Sequence, residues 1–93
     1  MKRNRNEIIS EILSICITSA SKTRVVYQAN LNFRTVDPYL QLLIKNDLIR
    51  VNQGRHILYE TTEKGKCLME TINQVHNVLS DDQGALILPT SAL

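Results

Sequence analysis

The sequence has few of the residues on which enzyme and metal sites are usually built. It holds two histidines and two cysteines, and neither Cys16 nor Cys67 has a partner at the spacing of a zinc site. We therefore expect two free thiols, although a disulfide between them stays possible. No nucleophile–base pair and no glycine-rich phosphate loop is visible, so we predict a protein that is not an enzyme and has no cofactor or metal.

Long apolar runs are missing too. No stretch approaches the roughly 20 apolar residues of a membrane helix. The basic residues 1–5 are followed by Glu7 and Glu11, and not by the apolar core of a signal peptide. Because 43% of the 93 residues are hydrophobic and 22% are charged, we expect one small globular domain. We expect it in the cytoplasm, without a membrane partner, and no small-molecule ligand is evident.

Positive charge is concentrated in the first two thirds of the chain. Residues 1–60 hold nine Lys/Arg and five Asp/Glu, a net charge of +4, whereas residues 61–93 hold two and four, a net charge of −2. Such a distribution suits a nucleic-acid-binding head joined to a tail that does not bind, although ordinary surface variation can also produce it.

Apolar residues at helical spacing predict a first helix over residues 7–17. Its inner face carries Ile9, Ile12, Leu13 and Cys16. Asn4 and Glu7 resemble a capping box before it. Residues 22–29 are ambiguous, because the β-branched pair Val25–Val26 favours a strand whereas Ser21 could cap a short helix; the pattern leans towards helix.

A third helix is predicted over residues 36–46. Four apolar residues fall on one face: Val36, Leu40, Leu43 and Ile44. Asp37, Gln41 and Lys45 fall on another face, and Asn46–Asp47 are turn formers that end the helix. Pro38 is tolerated in a first turn, so we predict Thr35 as the N-cap and Pro38 as the third helical residue. Arg34 would then lie just before the helix.

The apolar period changes to two after this helix. Ile49 and Val51 alternate with polar residues, and Ile57, Tyr59 and Thr61 do so again. This pattern predicts a β-hairpin whose turn is the basic tip at residues 52–55.

A fourth helix is predicted after Thr62, a plausible N-cap. Four apolar residues step by 4, 3 and 4, as the seam of a coiled coil does: Leu68, Ile72, Val75 and Leu79. They could equally pack inside one subunit. Gly65 disfavours a helix by about 1 kcal/mol, so we expect it to allow a close approach of the hairpin. Residues 81–93 form a tail without an assigned role.

The order helix, short helix, helix, hairpin, long helix is that of a winged helix-turn-helix. The resemblance covers about residues 5–79. Its matching segments are "EIISEIL" at 7–13, "KTRVVYQANLNF" at 22–33, "YLQLLIKNDLI" at 39–49 and "YETTEKGKCLM" at 59–69. The chain resembles the small archaeal winged-helix DNA-binding proteins that have a long dimerising C-terminal helix. It departs from them at Asp47, where they usually have Gly, and at Pro38.

The resemblance implies a mainly α fold with a small β-hairpin, and a homodimer built on the last helix. It implies a recognition helix at about 34–46 and a wing at about 50–58, and it favours a helix over residues 22–29. The implied division is a winged-helix head at 1–62, a dimerisation helix at 63–80 and the tail at 81–93. The dimer seam would be formed by Leu68, Ile72, Val75 and Leu79.

Given this fold, the candidate DNA-binding residues lie on helix 2, helix 3 and the wing. They are Lys22, Arg24, Arg34, Thr35, Gln41, Lys45, Arg50, Gln53 and Arg55. Arg prefers guanine and Gln prefers adenine in the major groove, whereas Lys45 suits phosphate. The basic residues 1–5 could form a further arm along the backbone.

The predicted function is a dimeric, sequence-reading transcriptional regulator that binds double-stranded DNA. Two alternatives stay open: a chromatin-type protein that binds with little sequence preference, and a winged-helix module that binds proteins. Cys16 is predicted to lie in the core, and Cys67 to be an ordinary thiol.

Overall fold

The computed structural model describes residues 3–80. It contains four α-helices and one antiparallel hairpin: α1 (Arg5–Ile15), α2 (Lys22–Gln28), α3 (Phe33–Lys45), β1 (Ile49–Gln53), β2 (Ile57–Thr61) and α4 (Glu63–Ser80). The element types agree with the predicted order, and the ambiguous segment 22–29 is helical. The predicted tail at 81–93 lies outside the described residues. Within residues 3–80, no helix is long and apolar enough to cross a membrane.

The first helix begins with the predicted capping box. The Asn4 side chain accepts from the Glu7 amide at 2.8 Å, and the Glu7 carboxylate accepts from the Asn4 amide at 3.0 Å. These bonds satisfy two donors that would otherwise have no intrahelical partner. The predicted inner face is buried, including Cys16 in the 3₁₀ turn that follows the helix.

The short helix α2 is capped by Ser21, whose hydroxyl accepts from the Arg24 amide at 3.2 Å. Its C-cap is Ala29, the following residue Asn30 has a φ of 56°, and Leu31 donates to the carbonyl of Val26 at 3.0 Å. This 6→1 bond is typical of a Schellman motif, in which a left-handed residue terminates a helix. Val26 lies in the core, which explains why a β-branched segment folds as a helix.

The third helix starts earlier than predicted. Its N-cap is Asn32, whose side chain accepts from the Thr35 amide at 2.7 Å, and Phe33 is the first helical residue. The predicted N-cap at Thr35 is therefore wrong, because the Asn32 side chain supplies the cap three residues before it. Pro38 lies in the second turn and has no N–H to donate to the Arg34 carbonyl, so one backbone hydrogen bond is missing there.

The same helix ends as predicted at Asn46–Asp47. Asp47 has a φ of 65°, and Leu48 donates to the Leu43 carbonyl at 2.8 Å. This is a second Schellman motif, with an aspartate at the left-handed position that glycine usually takes. The motif reverses the chain so that Leu48 and Ile49 enter the core.

The hairpin pairs Ile49 with Thr61 and Gln53 with Ile57. Its connection is therefore residues 54–56, and the turn predicted at 52–55 is displaced because Asn52 and Gln53 belong to β1. A bridge between Ala20 and Tyr59, with backbone bonds of 2.9 and 2.8 Å, gives β2 a second, single-residue partner besides β1.

The last helix packs its first half on α1. Thr62 caps it as predicted, because its hydroxyl accepts from the Gly65 amide at 3.0 Å. Gly65 allows the predicted close approach: a Cβ there would overlap the Leu48 carbonyl and lie 2.7 Å from the Thr61 methyl. Further along, the Ser10 hydroxyl donates to the Asn73 side chain at 2.9 Å.

The core lies between α1, α2, α3 and the root of the hairpin. Its buried residues are Ile9, Ile12, Leu13, Cys16, Ala20, Val25, Val26, Val36, Leu40, Leu43, Leu48 and Ile49. Leu68, Met69 and Ile72 of α4 are half-buried against it. The head therefore draws part of its hydrophobic cover from the helix that follows it in the chain.

Candidate nucleic-acid interface

The outer face of α3 carries a stripe of polar residues that points away from the core. Arg34, Gln41 and Lys45 are exposed, and their spacing places them on one side of the helix, together with Pro38. The buried residues Val36, Leu40 and Leu43 occupy the opposite side. Arg34 is thus borne by the helix, and the expectation that it precedes the helix is wrong because α3 begins at Phe33.

Three cations of this region make no hydrogen bond or ion pair with any residue in the described part of the chain: Arg34, Lys45 and Arg55. Arg34 lies in the first turn of α3, Lys45 in its last turn, and Arg55 at the tip of the hairpin. Exposed guanidinium and ammonium groups without a protein partner are available to an anionic ligand.

The first residue of α2 is engaged differently. The Lys22 ammonium lies 2.6 Å from a carboxylate oxygen of Asp37 on α3. This hydrogen bond to Asp37 raises the pKa of Lys22, and the charge of Asp37 adds to the effect, so the ammonium remains charged at neutral pH. The pair joins the two helices of the helix-turn-helix across their outer surface.

A second ion pair lies across the wing. Arg50 on β1 approaches the Glu60 carboxylate on β2 at 3.3 Å, and Asn52 donates to the same oxygen at 3.1 Å. The hydrogen bond from Asn52, followed by those from Arg50 and its charge, lowers the pKa of Glu60. Arg50 and Glu60 are direct cross-strand partners, a position at which opposite charges attract.

The remaining predicted residues differ in accessibility. Arg24 is exposed, and its guanidinium donates to the Ser19 carbonyl at 3.3 Å. Gln53 is exposed at the end of β1. Thr35 is half-buried on the flank of α3, which makes it the least accessible of the predicted residues on that helix.

The N-terminal residues frame the other flank of α3. Arg3 does not extend as a free arm, because its guanidinium contacts the Glu11 carboxylate at 2.7 Å and the Asn30 carbonyl at 3.2 Å. Arg5 is exposed and lines an open groove with Pro38, Tyr39 and Leu42 of α3. Arg5 therefore adds a cation beside the outer stripe of α3.

Two acidic residues of this surface had no place in the sequence-based site. From the sequence, Asp37 belongs to the polar face of helix 3 and suits the positive start of that helix, and Glu60 is an alternating polar residue of the hairpin. The cross-strand register would have indicated the Glu60 partner once the turn was placed correctly. No local pattern indicates that Asp37 meets Lys22, since the two belong to different helices.

The two cysteines lie outside helix α3 and the wing, Cys16 in the turn after α1 and Cys67 on α4. Burial raises the pKa of Cys16 to about 11, against a smaller lowering by the Arg24 charge, so this thiol stays protonated at neutral pH. Cys67 is an exposed free thiol. The described residues contain no group of three or more His, Cys, Asp or Glu that could hold a metal ion.

A helical core, a short turn between α2 and α3, and an antiparallel hairpin after α3 define a winged helix-turn-helix protein. The chain belongs to the winged helix-turn-helix family, whose model matches residues 2–80. The predicted family and fold are confirmed at this level.

Two archaeal relatives are uncharacterized proteins of Methanocaldococcus jannaschii. One is 34% identical over 84 residues, which are 89% of this chain and 38% of that relative. The other is 35% identical over 80 residues, which are 85% of this chain and 79% of that relative. The chain thus spans well under half of the first relative and most of the second.

Solved structures with the same fold include a DNA-binding protein of Sulfolobus solfataricus, Sso10a-2. It is 29% identical, has a TM-score of 0.82, and covers 98% of this chain and 97% of its own. The ZitR protein of Lactococcus lactis, solved in complex with DNA, is 15% identical with a TM-score of 0.64, over 98% of this chain and 73% of its own. The second likeness concerns the fold alone.

Proposed function

We propose that this protein binds double-stranded DNA and reads its sequence as a transcriptional regulator. The observation that carries the proposal is the outer face of α3, the second helix of the helix-turn-helix. There Arg34, Gln41 and Lys45 are exposed, and their side chains make no hydrogen bond or ion pair within the described residues. The similar Sulfolobus solfataricus protein is described as DNA-binding, which supports the same ligand for this chain.

In the proposed mechanism, α3 enters the major groove with its N-terminal turn towards the base edges. Arg34 lies in that turn and suits the two acceptors of guanine, whereas Gln41, two turns along, suits adenine. Lys45 lies in the last turn and is assigned to phosphate. On the wing, Arg55 and Gln53 contact the flanking backbone.

The other cations have weaker roles in this mechanism. Arg24 is exposed near the start of α2 and is assigned to phosphate, as is Arg5 beside α3. Lys22 and Arg50 are each paired with a carboxylate, so each brings little net charge to the DNA. Thr35 is half-buried and is assigned to the edge of the interface.

We further propose that the protein is a homodimer joined through the second half of α4. Leu68 and Ile72 are already half-buried against the core of their own chain. Val75 is 52% exposed, a large apolar surface two residues beyond Asn73, whose side chain accepts from Ser10 of α1. Of the four residues predicted for the dimer seam, Leu68 and Ile72 therefore pack on their own chain, and we assign the dimer contact to the part of α4 that carries Val75. The Leu79 side chain lies outside what the structure describes.

The interface is tested with Arg34→Ala and Arg55→Ala in a titration with duplex DNA. Arg34→Ala should weaken binding to a preferred sequence by about 1–3 kcal/mol, because one base contact is lost. Arg55→Ala should weaken binding to all sequences and reduce the slope of log K against log salt by about 1, because one phosphate contact is lost.

Lys66→Ala is the matched control, because Lys66 lies on α4 and pairs with Glu63 of the same helix. It removes one positive charge from the protein outside the proposed interface, and it should change affinity much less than either arginine variant. Unchanged affinity in both arginine variants would place the DNA surface elsewhere.

Selection from random duplex DNA at near-physiological salt tests the sequence-reading part of the proposal. A consensus motif is expected for a regulator. Binding without a consensus would favour a chromatin-type protein, and absence of binding would favour a protein-interaction module.

A further inference from the structure

The ion pair between Lys22 and Asp37 lies at the edge of the proposed DNA surface. Asp37 is three residues after Arg34 and four residues before Gln41 in the same helix. Residues three and four apart are neighbours on a helix surface, so the Asp37 carboxylate is adjacent to both proposed base-reading residues. The pair is open to solvent, since 37% of the Lys22 side chain and 53% of that of Asp37 are exposed.

We propose that Asp37 determines specificity by withholding Lys22 from the DNA backbone, an inference that rests on the proposed function. A lysine that meets phosphate adds affinity for every DNA sequence, because it displaces condensed counterions whatever the bases are. The 2.6 Å pair with Asp37 makes the local net charge close to zero. The carboxylate also repels phosphate directly.

The effect on specificity follows from where the contacts are made. Arg34 and Gln41 are assigned to base edges, and their contribution depends on the sequence. Suppressing a phosphate contact lowers sequence-independent binding and leaves the base contacts in place. The ratio of specific to non-specific affinity therefore stays high, and this ratio governs how a regulator is distributed over a genome.

The Arg50–Glu60 pair on the wing follows the same pattern, because it also lies among the proposed DNA contacts. Glu60, however, is a direct cross-strand partner of Arg50 and also accepts from Asn52, so it has a role inside the hairpin. Asp37 instead pairs with a residue of another helix, and its backbone is held by α3 itself. The Lys22–Asp37 pair therefore tests the effect on DNA binding with less disturbance of local structure than the Arg50–Glu60 pair.

The test compares the wild type with Asp37→Asn on a duplex of random sequence over a range of salt concentrations. The variant should bind more tightly, by roughly three- to tenfold near 0.1 M salt, and its slope of log K against log salt should be steeper by about 0.9. This is the change expected when one more phosphate is neutralised. Its preference for a selected sequence over the random duplex should fall.

Lys22→Gln separates the released ammonium from other effects of the substitution. Alone it should weaken binding or leave it unchanged, because the paired lysine contributes little and its loss leaves the Asp37 carboxylate without a counter-charge. Combined with Asp37→Asn it should remove most of the gain. Asp47→Asn is the matched charge control: it makes the same change in net charge in the turn at the far end of α3, and asparagine tolerates the positive φ there.

The possible outcomes distinguish this inference from the proposed function. If the wild type binds DNA and Asp37→Asn leaves the salt slope unchanged, the role of Asp37 is overturned while the proposed function stands. If Lys22→Gln raises affinity as much as Asp37→Asn does, the pair acts by positioning the helices, which also overturns it. If neither the wild type nor Asp37→Asn binds duplex DNA, both proposals fall.

Discussion

At the scale of single residues, two residues with a left-handed backbone conformation terminate the helices of the helix-turn-helix. Asn30 ends α2 with a φ of 56°, and Asp47 ends α3 with a φ of 65°. Asn and Asp visit this region more readily than other non-glycine residues, because their short polar side chains bond locally. Asp47 can therefore take the place of the Gly that the similar archaeal winged-helix proteins usually have at this position.

Gly65 is required for a different reason: its backbone is helical, but there is no room for a side chain at this position. The Leu48 carbonyl and the Thr61 methyl fill the volume where a side chain would begin. The residue thus allows α4 to lie against the start of the hairpin, and the same contact brings the Thr62 hydroxyl within 2.6 Å of the Asp47 carbonyl.

Gly65→Ala should lower the free energy of unfolding by about 1–3 kcal/mol, because relief of the overlap requires a backbone shift. Ala gains about 1 kcal/mol of helix propensity over Gly, which reduces the loss without removing it. Chemical denaturation measures the change. Gly54→Ala is the control, because no atom lies near its added Cβ and the variant should be nearly neutral. Equal stabilities of the two variants would contradict the packing argument.

At the scale of elements, the wing depends on a small polar network as well as on backbone pairing. Glu60 accepts from Asn52 and Arg50, and these contacts lower its pKa. A carboxyl whose pKa is lowered by folding stabilises the folded state above its unfolded pKa. That contribution is lost as the pH falls through the folded pKa.

Glu60→Gln should therefore destabilise the protein at neutral pH, and the difference from the wild type should shrink as the pH falls below the ordinary range of a glutamate. Denaturation at a series of pH values measures it. Glu70→Gln is the control, because Glu70 is exposed on α4 and has no side-chain partner in the described region. If Glu60→Gln remains less stable than the wild type at a pH where Glu60 of the wild type is protonated, the ion pair is not the cause.

Helix α3 shows how a single residue can mislead a prediction of where an element begins. Pro38 lacks an amide, and the rule that proline belongs in a first turn placed the start near Thr35. The helix begins instead at Phe33, because the Asn32 side chain caps it at 2.7 Å. The packing of Val36, Leu40 and Leu43 in the core then outweighs one missing backbone hydrogen bond.

At the scale of the whole molecule, α4 packs on the head over its first half and exposes Val75 in its second half. Leu68 and Ile72 cover the core, whereas Val75 is exposed. A single chain of this size buries a limited fraction of its surface, which makes association a common source of stability.

Val75→Asp should convert the proposed dimer into a folded monomer, because a charge would be placed in an apolar seam without touching the core. Light scattering measures the mass, and circular dichroism checks the fold. Gln74→Asp, an exposed neighbour on the same helix, should leave the mass unchanged. Ile72→Asp should instead unfold the head. A dimer that survives Val75→Asp would place the contact outside the second half of α4.

Apart from residues 22–29, where the pattern left helix or strand open, the order and type of the elements could be read from the sequence, because they depend on periodicity and local capping. Apolar spacing placed Ile12 and Leu13 in the core, and the pair Asn4–Glu7 and the cap residue Thr62 marked two helix starts. These signals act within a few residues, where side-chain and backbone preferences dominate.

Only the tertiary structure decided which cations of the candidate interface are paired. The side chains of Arg34, Lys45 and Arg55 make no hydrogen bond or ion pair within the described residues, whereas Lys22 meets Asp37 across the turn between two helices. It also decided that Ile72 packs on its own chain while Val75 does not. Such facts depend on distances between elements remote in sequence, and no local propensity encodes them.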